Sequence, residues 1–258
     1  MTGTAYTEWV NNEYNQWGNS LIDCMNDDSF VNFKSNPSVK RMVGTDSLEG
    51  LFTNQDKNLP WQKIYELDRI GNPQQVEVVF NEYKISTITL RYVYYANKIL
   101  DLIKNLNRIR IVEIGGGYGG FCSILDCLAK SSGIIIEEYA IYDLPLVQQF
   151  QKYYLEKVLK NNNKGVTNVN FLNSSDLDSF NGDYSYLVSF YALGEFDPPV
   201  KYNYIDKVIS KIKNGFILWN PHRDSDKIGE DLLLKYHPDL KITPEYPLTS
   251  PYNMEIII

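Results

Sequence analysis

The sequence is short of cysteine and histidine. Its 258 residues include three cysteines (Cys24, Cys122, Cys127) and two histidines (His222, His237). Three thiols build no disulfide framework. The C-x4-C spacing of Cys122 and Cys127 falls inside a helical pattern, and with so few histidines it argues against a zinc cluster. A reducing, cytoplasmic setting is expected. Long apolar runs are missing too: none approaches the about 20 residues that span a membrane as a helix. The first residues, MTGTAYTEWVNNEYNQ, lack the basic and apolar regions of a secretion signal. There is no basic stretch, and 32 acidic against 25 basic side chains leave a net charge of −7. That speaks against a nucleic-acid binder that neutralises phosphates, and against binding to an anionic membrane.

What is present is an ordinary globular balance, 43% apolar and 22% charged. Asparagine (25) and tyrosine (20) are abundant. The excess reads either as nucleotide bias or as a supply of stacking faces for a sugar or aromatic ring, and composition does not separate the two.

The first 60 residues are polar with scattered aromatics, among them Trp9, Trp17, Phe30, Phe33 and Phe52, and suit short helices packed as a cap. Gly71-Asn72-Pro73 signals a turn. From about Thr87 to Asn105, Ile88, Tyr92, Tyr95, Ile99, Leu102 and Leu106 recur at helical spacing, with Ser86 or Thr87 as N-cap. From residue 109 strands and helices alternate. Strands are expected at 109–114, 138–142, 166–172, 184–190 and 215–219, with helices at 121–130, 145–159 and 200–213. A helical stretch near 232–236 and strands at 240–243 and 253–258 complete the pattern. Alternation of this kind gives an α/β fold: a mostly parallel sheet of seven strands with helices on both faces. The last two strands lie too close in sequence for a helical crossover, so they form an antiparallel hairpin. The expected division is a mainly helical cap over residues 1–86 and a Rossmann-like domain over 87–258.

The most informative stretch is Val112-Glu113-Ile114-Gly115-Gly116-Gly117-Tyr118-Gly119-Gly120, which leads from a strand into a helix. Glycines there let the chain turn sharply and let a ligand approach amides at a helix N-terminus. Gly115, Gly117 and Gly120 satisfy the dinucleotide pattern G-x-G-x-x-G. Glu113, Gly115, Gly117 and Gly119 satisfy the acidic-x-G-x-G-x-G pattern of class I S-adenosylmethionine-dependent methyltransferases. A carboxylate beside the loop gives a pyrophosphate no benefit but favours an ammonium and a sulfonium, so the second ligand is expected. Asp143, ending the next strand, suits the ribose hydroxyls that both ligands carry. Ser174-Ser175-Asp176-Leu177 follows the third strand, where adenine would lie; Asp176 alone reads equally as a turn cap.

The chain resembles the sugar O-methyltransferases of bacterial polysaccharide gene clusters and of some large DNA viruses. The resemblance rests on Leu90-Arg91-Tyr92-Val93-Tyr94-Tyr95-Ala96, on Glu113 to Gly120, on Tyr142-Asp143-Leu144-Pro145 and on Ser189-Phe190-Tyr191-Ala192-Leu193-Gly194-Glu195, and covers roughly residues 70 to 220. Gly194 stands where the family usually has serine. The resemblance implies a sugar or nucleotide-sugar acceptor in glycan biosynthesis, a cytoplasmic enzyme (host cytoplasm for a viral one), and S-adenosylmethionine held by Arg91, Glu113, Gly115, Gly116, Gly117, Tyr118, Asp143, Leu144, Ser175, Asp176 and Phe190. A homodimer is left open. The alternatives are a methyltransferase for another small acceptor and a non-catalytic protein that keeps the fold.

Methyl transfer to a hydroxyl needs alignment and a proton acceptor. In an open parallel sheet ligands lie beyond the carboxyl ends of the strands. Candidates there are Tyr191, Glu195 and Asp197 after the fourth strand, and Asn220, His222, Arg223 and Asp224 after the fifth. His222 and Glu195 are the expected bases, with Tyr191 beside them; a surface histidine and a helix-capping carboxylate are the plain alternatives. A divalent metal is not expected, though Glu195, Asp197, Asp224 and Asp226 carry the oxygens for one. Arg91 reads either as a salt-bridged core residue or as a partner for a ligand carboxylate. The Tyr118 side chain is expected to point toward the acceptor, and Trp9, Trp17 and Trp61 to help cover it.

Overall fold

A computed structural model describes residues 16, 18–36, 51–74, 76–80, 82–159, 166, 168–220 and 226–258. His222, Arg223 and Asp224, as well as Trp9 and Trp17, lie outside the described residues. In chain order the main elements are α1 (Trp61–Arg69), β1 (Val76–Val79), β2 (Tyr83–Ser86), α2 (Thr87–Leu102), β3 (Arg108–Ile114), α3 (Gly120–Ser131), β4 (Ile135–Tyr142), α4 (Pro145–Leu159) and β5 (Val169–Leu172). They continue with β6 (Tyr186–Phe190), α5 (Ala192–Glu195), α6 (Pro198–Lys207), β7 (Gly215–Trp219), α7 (Asp226–Tyr236), β8 (Lys241–Pro244) and β9 (Met254–Ile257). No described helix is long and apolar enough to cross a membrane.

The chain forms two compact units, each discontinuous in sequence. The first comprises the described residues of Met1–Lys104, Gly117–Gly133 and Pro145–Gly165. It is helical apart from the antiparallel hairpin β1–β2. Helix α2 starts where expected because Ser86 caps it, its hydroxyl accepting the Thr89 N–H at 3.4 Å. It ends at Leu102, earlier than the periodicity suggests, and Leu102 and Leu106 are exposed. Its buried set is wider than one stripe and includes Leu90, Val93, Tyr95, Ala96, Ile99 and Leu100. Helix α4 begins with Pro145 at its first position, where a missing N–H costs nothing. Its Phe150 and Tyr154 join Phe30 and Phe33 in an aromatic cluster with centroids 5.1 to 6.4 Å apart.

The second unit comprises the described residues of Asn105–Gly116, Ile134–Leu144 and Val166–Ile258. Its seven-stranded sheet has the order β5-β4-β3-β6-β7-β9-β8. Five strands run parallel, and β9 pairs antiparallel with both β7 and β8. This is the expected Rossmann-like sheet with an antiparallel hairpin. All five residues of β7 are buried, as a continuous apolar run in a parallel sheet should be. Val112, Ile114, Leu187, Ile217 and Trp219 face a core shared with Ile205 and Val208 of the α6 region. Each such side chain contributes roughly 1.5–3 kcal/mol of burial. Strand alternation therefore sends Glu113 to the opposite face from Val112 and Ile114.

Candidate functional site

Register assembles the site at one edge of the second unit. Ile114 is level with Tyr142 on one side and Ser189 on the other, Tyr142 with Leu172, and Phe190 with Leu218. The residues that follow these strands are Gly115-Gly116, Asp143-Leu144, Asn173 to Asp176, Tyr191 to Glu195 and Asn220, so they gather at the carboxyl ends, where such sheets bind ligands.

The loop after β3 departs from Ile114 through Gly115, whose N–H donates to the Tyr142 carbonyl at 2.8 Å. Gly115 has φ +78°, and a Cβ there would stand 2.2 Å from the Ala192 Cβ. Only glycine satisfies both constraints. Positive φ recurs at Gly117 and Gly119 but not at Gly120. The left-handed positions are thus those of the acidic-x-G-x-G-x-G spacing. Gly120 serves a different end, since a Cβ on it would collide with the Tyr118 ring at 2.4 Å. Gly116 is buried with ordinary backbone.

Glu113 is 1% exposed and accepts a hydrogen bond from the Tyr139 hydroxyl at 2.9 Å. Burial pushes its carboxyl up to about 8, aided by the nearby Asp143 charge and opposed by the Tyr139 bond. Asp143 is half-buried, and its Oδ1 accepts the Leu144 N–H at 2.8 Å. The Leu144 side chain is exposed. Beyond β5, Asn173 and Asp176 form a reciprocal cap on a 3-10 turn over Ser174–Ser179: Asp176 Oδ2 accepts the Asn173 N–H at 2.8 Å, and Asn173 Oδ1 accepts from Ser175 N–H and Oγ. The turn-cap reading of Asp176 therefore describes one of its oxygens. Ser175 is exposed, and Phe190 is half-buried with its ring 6.3 Å from that of Phe216.

Tyr191 holds φ +64° immediately after β6, a conformation that non-glycine residues seldom adopt and that concentrates at functional sites. Its hydroxyl donates to Glu245, a carboxylate 2% exposed that also accepts the Thr249 N–H at 3.1 Å and the Thr249 hydroxyl at 2.5 Å. Asn253 ties the same group through Thr249 at 2.7 Å. These partners come from the β8–β9 connection. The antiparallel register sets Met254 against both Trp219 and Pro244, which puts that connection at the carboxyl end of β7. No sequence motif marks Tyr139 or Glu245; Glu245 sits in a proline-rich joint between two short strands.

Glu195 closes α5 and hydrogen-bonds Asn220, while burial raises its carboxyl above the usual range. Gly194, at the family's serine position, explains itself sterically: a Cβ would stand 1.9 Å from Asn220 Oδ1 and 2.4 Å from the Asn220 carbonyl. Asp197 is the N-cap residue of α6. Among the described residues no three His, Cys, Asp or Glu side chains are grouped to hold a metal. His237 is structural, with its ring nitrogen 3.0 Å from the Ile209 carbonyl.

Three of the expected ligand residues, Arg91, Gly117 and Tyr118, belong to the first unit. Arg91 is 8% exposed on α2. Tyr118 is 4% exposed, and its ring does not point toward an acceptor: it turns inward, 5.4 Å from Phe33 and 5.2 Å from Tyr154. The aromatic cluster offers more apolar contact than solvent does, and Gly120 leaves the room for the turn. Trp61 is likewise a core residue, stacked edge-on against Phe52 and Phe80.

No family model matches this sequence, and no curated protein matches it. Among solved structures, the chain is similar to the methyltransferase domain of bacterial CtHen1-CN (12% identity, TM-score 0.47, covering 63% of this chain and 96% of that one). It is also similar to magnesium protoporphyrin IX methyltransferase from Synechocystis PCC 6803 with bound SAM (16%, 0.46, 80% and 90%) and to the mitomycin 7-O-methyltransferase MmcR (11%, 0.42, 66% and 54%). Identities and scores this low do not extend those activities to this chain.

Proposed function

We propose that this protein is an S-adenosylmethionine-dependent O-methyltransferase acting on a hydroxyl of a sugar or nucleotide-sugar. One observation carries the reading: left-handed backbone at Gly115, Gly117 and Gly119, beginning two residues after a buried Glu113, with Asp143 directly following the neighbouring strand, which ends at Tyr142 opposite Ile114. The residues fit the cofactor. A Cβ at Gly115 would fill the bend, Asp143 suits a pair of ribose hydroxyls, and Glu113 suits a cationic group. When bound, the cofactor supplies an electrophilic methyl on a sulfonium. The sugar acceptor is supported by the resemblance carried in Tyr142 to Pro145 and Ser189 to Glu195.

The protein's own work is to align the acceptor hydroxyl and take its proton. Glu195 suits the second task among the described residues, because burial makes it a stronger base than an exposed carboxylate. Tyr191, whose proton already goes to Glu245, suits orientation of the hydroxyl. Mass spectrometry with labelled S-adenosylmethionine against a panel of nucleotide-sugars is expected to show one labelled product. Glu195→Gln should lower turnover about 100-fold or more with cofactor affinity retained. Full turnover in that variant removes Glu195 from the mechanism. No binding of S-adenosylmethionine in a calorimetric titration would favour the non-catalytic alternative.

A further inference from the structure

In the first unit, three segments separated in sequence meet around one buried carboxylate. Asp68 on α1 is completely buried. Its Oδ1 accepts from the Thr89 hydroxyl at 2.7 Å and the Ser86 hydroxyl at 2.5 Å, and its Oδ2 accepts the Ser86 N–H at 2.9 Å. The Lys34 ammonium lies 3.6 Å from Oδ1 and donates to the Asp68 carbonyl at 2.7 Å. Gly71 admits the Lys34 segment: a Cβ there would stand 2.3 Å from the Phe33 ring and 2.9 Å from Lys34 Cγ. The Lys34 N–H in turn donates to the Gly71 carbonyl at 2.8 Å.

Three links run from this centre to Tyr118. The Thr89 hydroxyl also hydrogen-bonds the Tyr118 phenol. The Lys34 ammonium stands 5.7 Å from the centroid of the Tyr118 ring, and Phe33 packs edge-on against it. A buried ion pair is a poor device for stability, because apolar side chains of equal volume often serve as well or better. It is a good device for fixing one geometry, since its partners tolerate few arrangements.

We infer that Lys34, Asp68 and Thr89 are positioning residues for the glycine loop: they hold Tyr118 inward and so fix the backbone of residues 117–120. The ligand of that loop rests on the function proposed above; the fixing of the loop does not. Amides held in place before binding lose less freedom when a carboxylate arrives, so a fixed loop binds more tightly than a loose one.

Thr89→Val removes the hydroxyl at constant shape, and Thr89→Ser keeps it. Amide hydrogen exchange of the ligand-free full-length protein is expected to quicken about tenfold across residues 117–121 in T89V, with T89S near wild type and β6 unchanged. Titration with S-adenosylmethionine should weaken in parallel, about tenfold in T89V and not in T89S. Lys34→Met should give the same pattern, and either variant carries the comparison should the other not fold. Unchanged loop exchange in these variants overturns the inference. So does exchange that quickens everywhere alike, or a T89S protein that behaves as T89V. If the wild-type chain does not bind S-adenosylmethionine, the proposed function falls, and the exchange data still decide the positioning role.

Discussion

A carboxylic acid on β3 has a charge that depends on its company. Buried Glu113 has its carboxyl raised to about 8, so near pH 7 the ligand-free group is mostly protonated. The sequence suggests a standing carboxylate; burial instead favours the neutral acid, and on the function proposed above a bound cation would ionise it. Cofactor binding at pH 7 is therefore expected to release close to one proton. Calorimetric titrations in two buffers of different ionisation heat would show it, and equal heats in both would refute it. The sign for stability follows from linkage. Between 4.5, the ordinary value, and about 8 the folded state holds a proton that the unfolded state has lost. Stability should be greatest below that window and fall as pH rises through it. Denaturant midpoints measured between pH 5 and pH 8 should show this slope, and Glu113→Gln should flatten it.

Elements were legible where local chemistry fixes both ends. Helix α4 has the expected bounds because Pro145 opens it, and β7 has the expected bounds because an unbroken apolar run is buried throughout. The hairpin β1–β2 was not legible. Its turn uses Phe80 at φ +52° rather than glycine, and the Phe80 ring is held by Trp61, a contact that no local pattern announces. The β3–α3 loop is the opposite case, since its glycines are both the signal and the mechanism. Gly115→Ala should cost roughly 2–4 kcal/mol, combining a left-handed backbone with a clash against Ala192. Its denaturant midpoint should fall accordingly, and cofactor binding should weaken with it. A variant as stable as wild type would show that the bend relaxes without harm.

Across the whole molecule, the parts least legible in the sequence are pairings between distant residues. Tyr191 was a candidate from its place after a strand, but its partner Glu245 lies 54 positions away. The direction of the Tyr118 ring was lost for the same reason, because Phe33 and Lys34 reach it from a segment with no recognisable motif. Glu245→Ala should cost about 2–4 kcal/mol, since it strands donors from Tyr191 and from the Thr249 N–H and hydroxyl. Urea unfolding would measure this, and a neutral result would mean that the β8–β9 connection relaxes freely.

The position of β9 has a further consequence. It lies between β7 and β8 although it follows both in the chain, and Ile258 exchanges backbone hydrogen bonds with Gly215 in both directions. A ribosome therefore releases two strands before the one that belongs between them exists. Until residues 254–258 emerge, the bare flank of β7 is open to pairing with foreign strands. Nascent chains stalled short of that point should be the form that chaperones capture and that aggregates.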